Sequence, residues 1–310
     1  MTKISLAREK LIEMYTNSLK EEQLPWRKRW ISGTNINGVT KSEYKGVNQL
    51  LLSLVAANRQ YDDPRWLTYV QIQKNGYKLK NAKGQGVPIE FWSIYDKKNK
   101  KRIDFSEYER IIECHDEDKD NYAIFCNSTY VYNAAHIDGL PKLKINKEME
   151  NVKIPSFIKN LFNNLGVKYT EEGNRAYYNT STDEIVLPNR KKFIDKYSYY
   201  ATQLHELCHS TGHTKRLNRV MESNDKKDYA REELIAEISS SFLMQKLGVK
   251  ASAEHYDNHK TYIQSWIEIL EDKPNELFKA INESNRVYEY MEKNSKTRNK
   301  EKVRWWYEKR

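Results

Sequence analysis

The chain has 310 residues, more than one core holds comfortably, so two folded units are expected. Its 53 Lys and Arg against 43 Asp and Glu give a formal charge of +10 and a pI near 9.1, a balance suited to an acidic polymer such as nucleic acid and equally to a merely soluble basic protein. A mean hydropathy of -0.90 and the lack of any run near the ~20 apolar residues of a membrane span exclude a bilayer partner, and Cys114, Cys126 and Cys208 make no CxxC pair or disulfide framework, so a reducing, cytoplasmic setting is expected.

MTKISLAREKLIEMYTNSL reads as an amphipathic helix turning Leu6, Leu11, Met14 and Tyr15 to a core, without the apolar stretch and cleavage site of a signal peptide. LPWRKRW and a Gly/Asn-rich turn from Ser32 to Gly38 follow, and YKGVNQLLLSLVAANRQY predicts a helix entered at Asn48. The next segment predicts a short helix around Trp66 to Lys74, a glycine-punctuated basic loop, and a strand from Val87 to Tyr95 with apolar alternation. Between Asp96 and Asp120 the charge switches from basic to acidic, as in a loop or poorly ordered insertion, before the strand AIFCNSTYVYNAAHI. DGLPKLKINKEMENVKIP is polar with prolines towards both ends and reads as a linker, which divides the chain into domains 1–140 and 155–310 joined by 141–154. Beyond it IPSFIKNLFNNLG predicts a helix stopped at Gly166, RAYYNTSTDEIVLP two strands around a turn from Asn179 to Asp183, and the remainder is mostly helical. The Lys-rich end has the composition of a solvated tail, although Trp305, Trp306 and Tyr307 favour docking. The expected class is α+β, a small mixed unit followed by a mainly helical one with a short sheet.

YYATQLHELCHSTGH carries the chemistry. His205 and His209 are four apart, so on a helix both imidazoles leave one face at a bite suited to one tetrahedral Zn²⁺. Glu206 between them is placed as the general base that takes a proton from a water the metal acidifies. A catalytic zinc wants a third protein ligand, and YAREELIAEISSSFL offers Glu233 and Glu237 on one helical face: one to ligate, the other to hold a histidine's far nitrogen. Glu232 points elsewhere on that wheel. An acidic first helical turn is the plain alternative for these residues. His213 is a rival ligand, but HExxHxxGxxH would need histidine where Lys215 stands, so a cap or supporting role is expected. Cys208 is expected to face the core as a small apolar residue.

The segments LPWRKRW, YKGVNQLLL, DPRWLTY, YVYNAAHIDGLP, YYNTSTDEIVLP, YYATQLHELCHSTGHTKRLNR, YAREELIAEISSSFL and NHKTYIQSWIEIL resemble, nearly end to end, ArdC-type antirestriction proteins of plasmids and other mobile elements. The resemblance implies an N-terminal domain that binds single-stranded DNA and a zincin-like metallopeptidase domain. It implies His205, His209 and Glu233 as Zn²⁺ ligands, Glu206 as base and Glu237 behind the ligands. It also implies that Glu184, Ile185, Val186 and Leu187 form the edge strand that pairs with an extended peptide. The charged insertion, Cys208 and Ser210 depart from related sequences. The implied role is protection of DNA entering as a single strand, by direct shielding or by bringing a peptidase to a host restriction or regulatory protein. The alternatives are a zinc metallopeptidase whose basic domain binds protein, and a zincin retained as a scaffold.

Residues 1 to 102 hold 20 Lys and Arg against 9 Asp and Glu, interleaved with aromatics. Single strands need this mixture, cations for phosphates and ring faces for unpaired bases. The candidates are Trp26, Arg27, Lys28, Arg29, Trp30, Tyr44, Lys45, Arg65, Tyr69, Lys78 and Lys80, while Trp66 and Trp92 are expected in the core.

Overall fold

Ala7, Leu11, Tyr15 and Ser18 recur at helical spacing and form the buried stripe of α1 (Leu6–Lys20) in the computed structural model, which describes residues 4–20, 33–103, 107–108, 111–112, 116–143, 150–193, 195–219, 226–248 and 275–296. The stripe is one residue out of step with expectation at its start: Leu6, in the first turn, is exposed and Ala7 is buried instead. Trp26 to Trp30, Cys114, the segment NHKTYIQSWIEIL and the aromatic tail lie outside the described residues.

The structure divides into two compact units, one from residues 1–15 and 35–142 and the other from 16–34 and 143–310. In the first, β1 (Ile36–Asn37) interrupts the expected turn, and α2 (Gly46–Asn58) starts two residues before Asn48. α2 buries Leu50, Leu51, Leu52 and Leu54, so it is a core helix apolar almost all round. The segment expected as one helix splits: Arg65–Thr68 is strand β2, and only Tyr69–Lys74 is helix α3. The reason is a capping box. The Thr68 hydroxyl accepts the Gln71 N–H at 3.2 Å and the Gln71 side chain accepts the Thr68 N–H at 2.9 Å, fixing the helix start at Tyr69.

After the short β3 (Lys78–Leu79), β4 (Val87–Asp96) runs one residue past the expected strand and returns as β5 (Lys101–Ile103), which corrects part of the expected loop. Asp96 closes this turn by accepting the Asn99 N–H at 2.9 Å and its amide at 2.7 Å, and Ile103 is buried opposite Ile94. β6 (Tyr122–Asn133) pairs with β4 over ten positions, and β7 (Ile137–Asp138) pairs with β3. The main sheet has the order β1-β2-β6-β4-β5. Glu90 is buried on it and accepts hydrogen bonds from Ser5 and Arg8, both at 2.6 Å, while Asn48 bonds its main chain in both directions at 2.8 Å.

In the second unit α4 (Glu150–Leu165) carries Pro155 as its sixth residue and stops at Gly166, whose φ of +66° is the left-handed conformation that ends helices. β8 (Lys168–Glu171), β9 (Tyr177–Asn179) and β10 (Glu184–Leu187) form a sheet in the order β8-β10-β9. β10 therefore lies in the middle, parallel to β8 and antiparallel to β9. This corrects the assignment of Glu184, Ile185, Val186 and Leu187 as an edge: the strand's main chain is paired on both sides, and Ile185, Val186 and Leu187 are buried. Among the described residues three helices follow: α5 (Lys196–Ser210), α6 (Lys226–Lys246) against α5, and α7 (Asn275–Asn294) against α6. The class is α+β as expected, and among the described residues no helix is long and apolar enough to cross a membrane.

Candidate metal centre

α5 starts where the Asp195 carboxylate accepts the Ser198 N–H at 2.7 Å. Its register turns His205 and His209 towards α6, and their Nε2 atoms approach to 3.1 Å. Glu233 of α6 faces both, at 3.7 Å from His205 Nε2 and 3.6 Å from His209 Nε2. Ligand atoms of these three residues lie within 4.8 Å of one another. A tetrahedral ion with bonds of ~2.0 to 2.2 Å sets its ligand atoms roughly 3.3 to 3.6 Å apart. The nitrogen and oxygen donors present therefore fit a small divalent metal.

Each imidazole is held from behind. Glu237 Oε1 lies 3.5 Å from His205 Nδ1, and Glu232 Oε1 lies 3.3 Å from His209 Nδ1. A carboxylate at Nδ1 favours the proton there and leaves the Nε2 lone pair for a metal. Glu232 was expected to point elsewhere, and its position is a correction. It is buried, touches His209 and accepts from Arg219 Nε at 3.0 Å and Nη2 at 2.6 Å. The adjacent positions reach one imidazole from two sides, Glu232 at its Nδ1 and Glu233 at its Nε2.

Burial and charge set the protonation of this cluster. Burial raises the Glu206 carboxyl above the usual carboxylate range, against the lowering effect of His205 and His209. Burial disfavours charge on His209 too, yet the Glu233 carboxylate and the Glu232 hydrogen bond raise it well above an ordinary histidine. Burial opposes ionisation of Glu233, but His209 and His205 outweigh it and hold the carboxyl far below its usual range. The raised His209 adds stability to the metal-free fold that is fully present below about pH 6.5, its unfolded value, and is lost as pH climbs through the folded value. Metal must displace that proton. Apparent Zn²⁺ affinity is therefore expected to rise from about pH 6 to about pH 8 while metal-free stability loses the histidine contribution. Chelator competition and thermal melts across this range check both signs; pH-independent affinity would contradict them.

The main chain of Tyr178 in β9, the edge strand beside α5, also acts on Glu206, lowering its carboxyl against the effect of burial. His213 stays out of the cluster: its Nδ1 accepts the Lys215 N–H at 3.1 Å, which makes it a turn residue as expected. Cys208 is fully buried, as expected. Glu232 and the Tyr178 main chain are what sequence reasoning missed. The adjacent Glu pair of YAREEL was a signal for the first, whereas no side-chain pattern signals a main-chain donor.

The DNA candidates separate by exposure. Tyr69 is exposed, as are Lys45, Lys78 and Lys80. Tyr44 is half-buried with its hydroxyl inside, and burial pushes that hydroxyl up to about 12. Arg65 is corrected: it is buried, pairs with Asp63 at 2.6 Å and donates to the Pro141 carbonyl at 2.8 Å, so its donors are engaged internally. Trp66 is fully buried as expected. Trp92 is not; it is 42% exposed. β4 and β6 extend beyond the core there, and Phe91, Phe125 and Tyr130 are exposed on the same ribbon.

Comparison with known proteins places both units. Residues 6–132 match the N-terminal domain of the anti-restriction factor ArdC, and residues 157–283 match a zincin-like metallopeptidase. Two Escherichia coli DNA primases TraC are 33% and 31% identical over 91% of this chain, which spans 19% and 27% of their lengths. The Sinorhizobium fredii protein y4eC is 28% identical over 87% of this chain and 84% of its own. Crystal structures of the antirestriction ArdC protein from plasmid R388, metal-free and with Mn(II), superpose with TM-scores of 0.71 and 0.70 at 26% identity, covering 94% of this chain and 98% of theirs. With both of its domains matched in order and its fold shared over nearly its whole length, the chain belongs to the ArdC-type family of antirestriction proteins, an ArdC N-terminal domain followed by a zincin-like metallopeptidase domain.

Proposed function

We propose that this protein protects incoming DNA from host restriction by binding it as a single strand through the first domain, and that its second domain holds Zn²⁺ at a peptidase site. The observation that carries the DNA reading is the β4–β6 ribbon. Phe91 and Phe125 are exposed on one face and Trp92 and Tyr130 on the other, next to the exposed turn of Lys97, Lys98, Lys100, Lys101 and Arg102. Aromatic faces stack unpaired bases whatever the sequence, and the lysines meet phosphates. Tyr69, Lys45, Lys78 and Lys80 remain DNA candidates on exposure, and a cytoplasmic setting follows from this role.

The test is a titration of fluorescent single-stranded oligonucleotides across salt. If all five basic residues of the turn meet phosphates, log affinity falls against log salt with a slope of about -3.5. No binding at low salt, or binding indifferent to salt, would leave the rival reading, a metallopeptidase whose basic domain docks a protein.

The peptidase reading has its own support in β9. Its edge is open among the described residues and its Tyr178 main chain reaches Glu206, so an extended peptide added there would lie over the base. His205, His209 and Glu233 would hold the metal, with Glu237 and Glu232 orienting the two imidazoles. When bound, the metal polarises the scissile carbonyl and acidifies a water. Glu206, kept from solvent and above the ordinary carboxylate range, takes the water's proton and passes it to the leaving amine. The R388 protein was crystallised with Mn(II), whereas the two imidazoles and one carboxylate favour Zn²⁺ in this chain.

A further inference from the structure

We infer that Arg219 is a positioning residue for the metal centre, acting through Glu232 on His209; this rests on the metal reading above. Arg219 lies ten residues beyond His209, in the segment that leaves α5. Its guanidinium grips Glu232 through Nε and Nη2 at 3.0 and 2.6 Å. The other contacts anchor it to the last turn of α5: Nη1 donates to Thr211 Oγ1 at 2.7 Å and Nη2 to the Cys208 carbonyl at 3.1 Å. Glu232 Oε1 in turn sits 3.3 Å from His209 Nδ1. The contacts close a ring. They run from the end of α5 to Arg219, across to Glu232 on α6, and back to His209 on α5.

A planar fork held at both ends fixes the carboxylate in two directions, which a single donor does not do. The carboxylate then fixes the plane of the His209 ring, so that Nε2 stays directed at His205 and Glu233. Arg219 also sets a buried positive charge directly against Glu232, the carboxylate next to Glu233 on α6.

The same loop supplies a control. Arg216 is equally buried, with 3% of its side chain exposed against 7% for Arg219. It is as thoroughly bonded, to the Ser210 and Leu165 carbonyls, Asp183 and the Tyr178 hydroxyl, but to none of the carboxylates at the metal centre. A merely structural role for both arginines predicts matching behaviour, and a positioning role for Arg219 predicts that they part.

The experiment compares the 310-residue chain with its Arg219→Gln and Arg216→Gln variants, reading Zn²⁺ affinity by competition with a chelating dye and metal-free stability by thermal melting. Both variants are expected to melt lower. Arg219→Gln is expected to bind Zn²⁺ about 10- to 100-fold more weakly, with Arg216→Gln within about threefold of the parent. Glu232→Gln, which keeps the volume and loses the ion pair, is expected to weaken binding in the same direction and serves if Arg219→Gln does not fold. Parental affinity in Arg219→Gln, or equal losses in the two arginine variants, would overturn the inference. A parent protein that takes up no Zn²⁺ overturns the metal reading first and this one with it.

Discussion

Exchanging Glu206 for Ala is expected to lower peptide hydrolysis by ~10²- to 10⁴-fold while leaving the metal and the DNA affinity in place. The expectation follows from geometry. The three candidate ligands are His205, His209 and Glu233, and the Glu206 side chain reaches the Tyr178 main chain instead. Removing it deletes the proton carrier and no ligand. The substitution also removes a buried carboxyl raised above its usual range by burial, so the metal-free fold should not be weakened through this charge. Elemental analysis of the variant and cleavage of an unstructured protein substrate supply the two readouts. Loss of metal together with activity would instead make Glu206 part of the metal's support, and cleavage at the parental rate would remove it as the base.

The second large effect separates two tryptophans. Trp66→Ala is expected to destabilise the first unit by about 3 to 5 kcal/mol. Trp66 is fully buried, and its indole N–H donates at 2.8 Å to Asn35, itself buried and bonded to Ser53 at 2.8 Å. Truncation leaves a cavity and an amide oxygen without its donor, each costly in a dry interior. Trp92→Ala should be tolerated, since its contacts are a 3.2 Å bond to Glu90 and an Arg8 guanidinium 6.0 Å from the ring centre. Its loss should appear in binding. Removing one stacking ring costs ~1 to 3 kcal/mol, or roughly 5- to 150-fold in affinity for a single strand. Melts and oligonucleotide titrations of both variants decide the matter: a Trp92→Ala protein that melts normally and binds DNA normally would take the β4–β6 ribbon out of the DNA surface.

These tryptophans show how far local pattern reaches. Both sit in apolar runs that read as core, and periodicity finds which residues share a face of a strand. It does not find what covers that face. Trp66 lies on β2, with β1 on one side and β6 on the other, whereas Trp92 lies where β4 and β6 run on past the core. Arg65 went the other way, a basic residue beside an aromatic that the fold closes over Asp63 and Pro141. The capping box at Thr68 and Gln71 is present in the sequence, but the apolar residues beginning at Trp66 continue a helical spacing across it and mask the boundary.

At the metal centre the sequence by itself determined the four-residue bite of His205 and His209, the place of Glu206 between them and the buried side of Cys208, because each depends only on the repeat of one helix. The tertiary structure decided the rest. That Glu233 meets both imidazoles, that Glu232 joins Glu237 behind them under the grip of Arg219, and that β9 instead of β10 borders the site all depend on how α5, α6 and the sheet are brought together. A helix wheel assigns directions within one element. Which neighbour lies along each direction is fixed only when the elements pack.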